Sequence, residues 1–400
     1  MKNIPGFHPV KHDSTFRNAF QQLLNWCREH DFAGHDPFDA LNSRLFQATP
    51  FRKSRNARLV WTQIMKRSPS DLRTLARVPN ERNAKGIALF ALAQLANYRR
   101  LRTSEAETET RSILRELLAL RIDGYSGAAW GYNFDWQSRN FFAPRGTPTI
   151  VPTAFAARAL LEAAREFPDE QYLTTARSVC EFIVQDLPRS VETDSEVCFS
   201  YSPESDTRIY NASLLAAEVL GSVGALTQEE QLCHWAERAT RYVINHQAKD
   251  GSWAYGTAAS QSWVDNFHTA FVLFSLTRTI KACALGKEFQ QALERGYYYW
   301  CKQFFLADGW PKYYHDNPYP ADAHAGASAI VTFLELRDLD PDASRLAEDV
   351  ATWTIRNLRD ERGFFYYQRR RFYTVRKPYM RWSQAWMLYG LARLLEEVST

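Results

Sequence analysis

Asp265 and His268 stand three residues apart at the start of an apolar segment, WVDNFHTAFVLFSL. On a helix that spacing puts both side chains on one face. An imidazole with an ordinary pKa near 6.5 suits work as a general base. An aspartate at such a start serves equally as a helix cap. Asp322 and His324 open a second apolar segment. Within a helix residues two apart diverge by about 200°, so this pair converges only if Asp322 precedes the first turn. With His268 they would form a His-Asp-His cluster of the kind that can hold zinc. Asp135 lies in GYNFDWQSRNFFAPRG, where Tyr132 and Trp136 offer ring faces for stacking on sugars and Arg139 offers a charge. A glycosidase needs two carboxylates roughly 5–10 Å apart; Asp135, Asp206, Asp265 and Asp322 are the candidates, and no pairing follows from sequence. Arg381, Trp382 and Gln384 begin the last apolar segment, where Arg381 and Gln384 share a face suited to carboxylate and hydroxyl groups. Asn266, Trp253 and Trp310 complete the candidate sugar contacts. Tyr210 or Tyr314 would serve as a second acid or base beside His268.

These residues need elements to position them, and the chain supplies the elements by repetition. Six small-residue, apolar segments start at Asn83, Val151, Tyr210, Val264, Ala321 and Met380, 54 to 68 residues apart. Helices apolar nearly all round must be covered on several sides. Between them lie segments with a single apolar stripe. In one of these, Leu232, Trp235, Ala236, Ala239, Tyr242 and Val243 keep helical spacing. Others run near 14–32, 104–121, 170–185, 286–305 and 342–358. Six half-exposed helices alternating with six enclosed ones can close into a ring. The fold expected is therefore all-α, an (α/α)6 toroid over 1–400 as one domain, with an open superhelix of pairs as the competing architecture.

Four stripe segments end alike, in RIDGYSGAAWGY, HQAKDGSWAYG, FLADGWPKYY and RDERGFFYYQ. The glycine suits the left-handed turn that stops a helix, and the aromatic after it is expected to fold back on the helix pair. All these loops lead to enclosed-helix starts, whose free N–H groups and positive dipole ends favour acidic ligands. Residues 33–82 form a long insertion after the first stripe segment, with HDPFDALNS, a basic run from Arg52 to Arg58 and a helix near 57–67. It reads either as a functional segment or as a plug over one end of the ring.

Composition narrows the function classes. At 45% hydrophobic, 24% charged and 14% aromatic residues, the chain is globular. A net charge of +4 is too mild to argue for nucleic acid. No apolar run approaches the roughly 18 residues of a membrane span, and MKNIPGFHPVKHDS lacks the apolar core of a secretory signal, so a cytoplasmic protein is expected. The six cysteines are scattered without a CxxC, as expected of reduced buried thiols. No cofactor is expected.

Several segments resemble known families. HQAKDGSWAYG is similar to the QW repeat of triterpene cyclases, although their DxDD motif is absent. VDNFHTAFVLFSL resembles a stretch of protein prenyltransferase β subunits, in which His268 would take the place of a zinc-binding histidine; no DxC precedes it here. DPFDALNS, NAKG, WGYNFDWQSR, WVDNFHTAF and YMRWSQAWMLYGLA together resemble a prokaryotic family found among exopolysaccharide-biosynthesis proteins. Fold analogy with toroidal carbohydrate-active enzymes points the same way. The expected function is a carbohydrate-active enzyme on an acidic or amino-sugar glycan. Lyase or epimerase chemistry through His268 is preferred slightly over two-carboxylate hydrolysis. A non-catalytic glycan-binding scaffold and a zinc-dependent prenyltransferase-like transferase are the alternatives.

Overall fold

The computed structural model describes residues 12–138 and 142–399. Six inner helices form its hub: α4 (Ala84–Leu101), α6 (Ile150–Glu166), α8 (Tyr210–Thr227), α10 (Asn266–Cys283), α12 (Ala323–Glu335) and α14 (Trp386–Ser399). Each packs on the next, and α14 packs back on α4, which closes the ring. Six outer helices surround it: α1 (His12–Glu29), α5 (Ser104–Ala119), α7 (Glu170–Glu181), α9 (Glu230–Asn245), α11 (Lys287–Phe304) and α13 (Ala343–Leu358). Five of them pack on the inner helix that precedes them in the chain, and α1 packs on α14. The architecture is an (α/α)6 toroid.

Burial explains the two sequence patterns. Helix α8 is buried at every position from Tyr210 to Gly221, because neighbours cover it on all sides. Helix α9 buries one stripe, including Leu232, Ala236, Ala239 and Val243, and leaves the opposite face to water. Fully burying an aliphatic side chain is worth about 1.5–3 kcal/mol, so the inner layer carries most of the apolar driving force.

The two ends of the ring are built differently. At one end tight turns join inner to outer helices, with Arg102, Gln228 and Ala284 in the left-handed region at the helix ends. At the other end, the mouth, long loops lead from each outer helix to the start of the next inner one. The four signature glycines, Gly124, Gly251, Gly309 and Gly363, all have φ between +83° and +99°. A Cβ on Gly251 would lie 2.5 Å from the Arg295 carbonyl oxygen of α11, and one on Gly309 2.5 Å from the Asp349 oxygen of α13. At these two glycines the loop turns against the following outer helix where only glycine fits, whereas at Gly124 the space is open and the positive φ alone favours glycine. The aromatics then fold back: the Trp130 indole donates to Leu117 O at 2.8 Å and the Trp253 indole to Val243 O at 2.9 Å. Each satisfies a carbonyl at the end of its own outer helix.

The insertion folds as short turns, α2 (Arg44–Gln47) and α3 (Arg55–Arg67), around its own small core of Ala40, Met65, Ala76 and Val78. Buried ion pairs hold it. Arg73 donates to Asp39 at 2.7 Å, and Arg381 grips Asp36 with two bonds of 2.6 and 2.8 Å. It lies over the mouth. Among the described residues, no helix is long and apolar enough to cross a membrane.

Candidate active site

A cavity of about 620 Å³ opens at the mouth, and all six inner helices or their starts contribute to it. Phe271 forms its floor, backed by Trp386 stacked on it at 5.4 Å and by Phe155, which meets both rings edgewise or tilted at 5.7 and 5.3 Å. Tyr132, Trp136, Tyr201, Tyr255, Trp263 and Tyr313 form the walls from the mouth loops, while Leu59, Gln63 and Lys66 of α3 form the roof.

Asp265 and His268 form one unit. Asp265 is the N-cap of α10, and its Oδ1 accepts the backbone N–H of His268 at 2.9 Å. Its Oδ2 lies 2.7 Å from His268 Nδ1 and accepts the Trp263 indole N–H at 3.1 Å. An ionised carboxylate beside Nδ1 fixes the proton there and leaves Nε2 as the basic nitrogen. Tyr255 packs on the imidazole at 4.5 Å and stacks on Trp263 at 4.7 Å, which holds the ring in place. The side chain remains 23% exposed and lines the cavity.

His324 is a different kind of histidine. It is 1% exposed, stacks on Phe267 at 4.6 Å and meets the Trp382 ring edge at 4.4 Å. Neither ring nitrogen has a hydrogen-bond partner among the described residues. Burial, then the charges of Lys85 and Arg381, push its pKa well down, so the imidazole is neutral. Phe267 and Phe271 both pack against the two histidines, which places the imidazoles around one part of the cavity.

Asp322 caps α12 from just outside its first turn and does not line the cavity. It accepts His324 N–H at 2.8 Å, Gln368 Nε2–H at 2.6 Å and the Trp382 indole at 2.9 Å. Burial raises its pKa to about 6 despite these donors. Among the described residues no three His, Cys, Asp or Glu side chains converge where a metal ion would sit, so the His268, Asp322, His324 grouping that could hold zinc is not formed.

The remaining candidates divide. Tyr132, Trp136, Tyr314, Arg381 and Trp382 line the cavity, with Arg381 engaged by Asp36. Tyr210 packs toward α9 against Tyr242 and His246. Asn266 accepts the Trp300 indole at 2.8 Å and donates to Lys312 O at 2.9 Å. Gln384 makes two bonds to the Phe365 backbone, at 2.7 and 2.8 Å. Trp310 donates to Pro318 O and packs on Trp353. Trp253 caps its own helix as described. Asp135 accepts the Arg145 backbone N–H at 2.8 Å outside the cavity, and Asp206 is exposed. Arg139 lies outside the described residues. Among the described residues that line the cavity, Asp265 is the only carboxylate.

Two lysines were not anticipated. Lys85, in the first turn of α4, faces the rings of Phe155, Phe271 and Trp386 at 4.6, 4.8 and 5.4 Å. Lys66 of α3 lies 4.1 Å from the Phe38 centroid and 5.7 Å from that of Trp382; burial lowers its pKa to about 8. The place of Lys85 at an inner-helix start was the signal that could have found it. Burial also raises the pKa of the Tyr132, Tyr201, Tyr255 and Tyr313 hydroxyls, so they act as neutral donors.

Comparison with solved structures gives the fold a context. Cellobiose 2-epimerase from Bacillus thermoamylovorans B4167 superposes with a TM-score of 0.64 at 16% identity, over 81% of this chain and 90% of that one. An unsaturated glucuronyl hydrolase specific for heparin does so with a TM-score of 0.63 at 13% identity, over 97% and 98%. A GH76 alpha-mannanase from Bacteroides thetaiotaomicron gives 0.59 at 12%, over 79% and 86%. The chain shares their α/α toroid. At these identities the likeness is one of fold. No protein-family model matches the sequence, and no curated protein does.

Proposed function

We propose that the chain is a carbohydrate-active enzyme that removes a proton from a sugar carbon next to a carbonyl, as in epimerisation. The observation that carries this reading is the pair of unlike imidazoles at one cavity whose only lining carboxylate, among the described residues, is bound to one of them. Hydrolysis by paired carboxylates has no second carboxylate among the described lining residues. Proton transfer has what it needs. His268, oriented by Asp265, takes the proton through Nε2. His324, neutral and with both nitrogens free of protein partners, returns one to the opposite face, accepting at one nitrogen as it donates from the other. The aromatic walls suit sugar rings. Lys66, in the roof of the cavity, favours an anionic or electron-rich substrate oxygen, which supports an acidic sugar. The resemblance of DPFDALNS, WGYNFDWQSR and YMRWSQAWMLYGLA to exopolysaccharide-associated proteins supports a place in exopolysaccharide synthesis, in the cytoplasm.

The test is solvent exchange. The protein is incubated in D2O with a panel of acidic, amino and neutral reducing sugars, and the proton beside the carbonyl is followed by NMR. Exchange with one class is expected, falling by about 10³-fold or more in His268→Ala. Binding of the sugars without exchange would overturn the reading in favour of a glycan-binding scaffold.

A further inference from the structure

Lys85 has a role still to be explained. It is 2% exposed, yet it lines the mouth cavity. Its amine faces three aromatic rings and, among the described residues, has neither a hydrogen bond nor a carboxylate partner. The charged groups around it are already matched: Arg381 to Asp36, and Arg158 to Glu218. A lysine without a counter-ion, desolvated and facing cationic arginines, is disfavoured as an ammonium, with the three ring faces offsetting part of that cost. Burial first, then Arg381, lowers its pKa well below the ordinary value, with Asp36 opposing and Arg158 adding. The product is an amine with a free lone pair. It also sits beside the proton-transfer groups: the Phe271 ring lies 4.8 Å from Lys85 Nζ, 6.2 Å from the His268 ring and 5.8 Å from the His324 ring.

We propose that Lys85 is a covalent catalytic residue that captures the open-chain aldehyde of a reducing sugar as an imine. This rests on the proton-transfer reading above and narrows the substrate to a sugar with a free reducing end. The Nζ lone pair attacks C1, and the N–H proton moves to the carbonyl oxygen, giving a carbinolamine. The C–O bond breaks, and the hydroxide leaves as water with a proton from solvent. The iminium draws electrons from C2–H as His268 takes that proton, which leaves a neutral enamine. A solvent proton relayed by His324 to the other face of C2 restores the iminium of the epimer. Water then adds to C1 and the amine leaves, so aldehyde and lysine are regenerated with no net oxidation. A positive nitrogen at C1 is a stronger electron sink than a carbonyl oxygen, which is the use of a neutral lysine there.

Reductive trapping tests the imine without knowledge of the natural sugar. The wild-type protein is treated at pH 7 with glycolaldehyde and cyanoborohydride, then mapped by peptide mass. One hydroxyethyl group on Lys85 is expected, at a dose that leaves the exposed Lys249 and Lys287 unmodified. Modification of those two with Lys85 untouched would overturn the proposal. A second arm uses Lys85→Arg, which keeps a long basic side chain and cannot form an imine. Exchange should fall at least about a hundredfold, with the thermal melt close to wild type; an arginine variant that retains most of the exchange contradicts the imine. Exchange without a Lys85 adduct sinks the imine and leaves the proton-transfer reading standing. An adduct on Lys85 without exchange by any sugar supports the nucleophile and overturns that reading.

Discussion

The two ends of the ring hold cavities of similar size, about 620 Å³ at the mouth and about 710 Å³ at the far end, and they are chemical opposites. At the far end the inner helices finish in arginines and glutamates that match one another. Arg158 grips Glu218 at 2.7 and 2.6 Å, Arg278 and Arg393 share Glu335 at 2.6 and 2.9 Å, and Arg99 reaches Glu162 at 3.2 Å. Arginines there complement the negative ends of the helix dipoles. At the mouth Arg381 is matched by Asp36, but among the described residues an imidazole without hydrogen-bond partners at its nitrogens and an amine without an anion face the same space as His268. Ionic groups that satisfy each other hold a ring shut, whereas groups left unsatisfied in an aromatic basin are available to a ligand. Phe155, with Lys85 4.6 Å from its centroid on the mouth side and Arg158 4.6 Å on the other, marks the boundary.

This contrast can be broken from either side. Asp265→Asn keeps a capping oxygen but turns an amide toward His268 Nδ1, which favours the wrong tautomer. Exchange should fall by about 10³- to 10⁴-fold with little change in melting temperature, and a variant that keeps its activity would dissociate the pair from catalysis. Glu218→Ala strands Arg158 in a buried place. It should cost about 3–5 kcal/mol of stability, read from the urea midpoint, while the activity of the folded fraction stays unchanged. A loss of activity without a loss of stability would move function to the far end. His324→Ala should slow epimerisation by about 10²-fold while wash-out of the C2 proton by His268 continues; NMR separates the two rates.

The ends should also differ in the sign of their pH dependence. Asp322 has its pKa raised to about 6 by burial, above the unfolded value. The stability it contributes is therefore fully present below about pH 4 and lost as pH rises through about 6, by roughly 2–3 kcal/mol. Glu335 is the reverse. Burial raises its pKa, but the charges of Arg278 and Arg393 outweigh that and hold it well below the carboxylate range. Its contribution is present above the unfolded value and lost as pH falls further. Urea titrations of Asp322→Asn and Glu335→Gln against wild type from pH 3 to 7 should diverge in opposite senses. Parallel curves would mean that the two carboxylates share one environment.

Much of this molecule was legible in its sequence. Five of the six expected inner starts fall within two residues of the observed ones, and the sixth, Met380, opens the π-helical turn Met380–Ala385 that leads into α14, because small-residue helices enclosed on all sides leave a signal unlike that of a single stripe. The signature glycines were legible because a left-handed turn admits little else. Side-chain direction was harder. Around a helix that is apolar on every face, periodicity cannot say which residue meets the cavity. Tyr210, Asn266 and Gln384 sit at inner starts beside cavity residues and turn outward, into bonds with loops and outer helices. Asp265, His268 and His324 stood out in the sequence because two residue types with chemistry stood at a helix start, and all three line the mouth cavity. Lys85 shared that position, but an N-terminal lysine before an alanine-rich run reads as a solvated charge. The roof over the mouth depends on long-range pairs such as Arg381 with Asp36, 345 residues apart, which carry no local trace.

The central claim is that sugar chemistry takes place at the mouth, between His268 and His324. The most direct measurement is a crystal structure of His268→Ala soaked with a sugar that the wild-type protein exchanges. The account predicts the sugar's C1 and C2 on the Phe271 floor, with the space vacated by His268 on one side of C2 and His324 on the other. Sugar seated among Arg158, Glu218 and Arg278 at the far end, with the mouth empty, would contradict it.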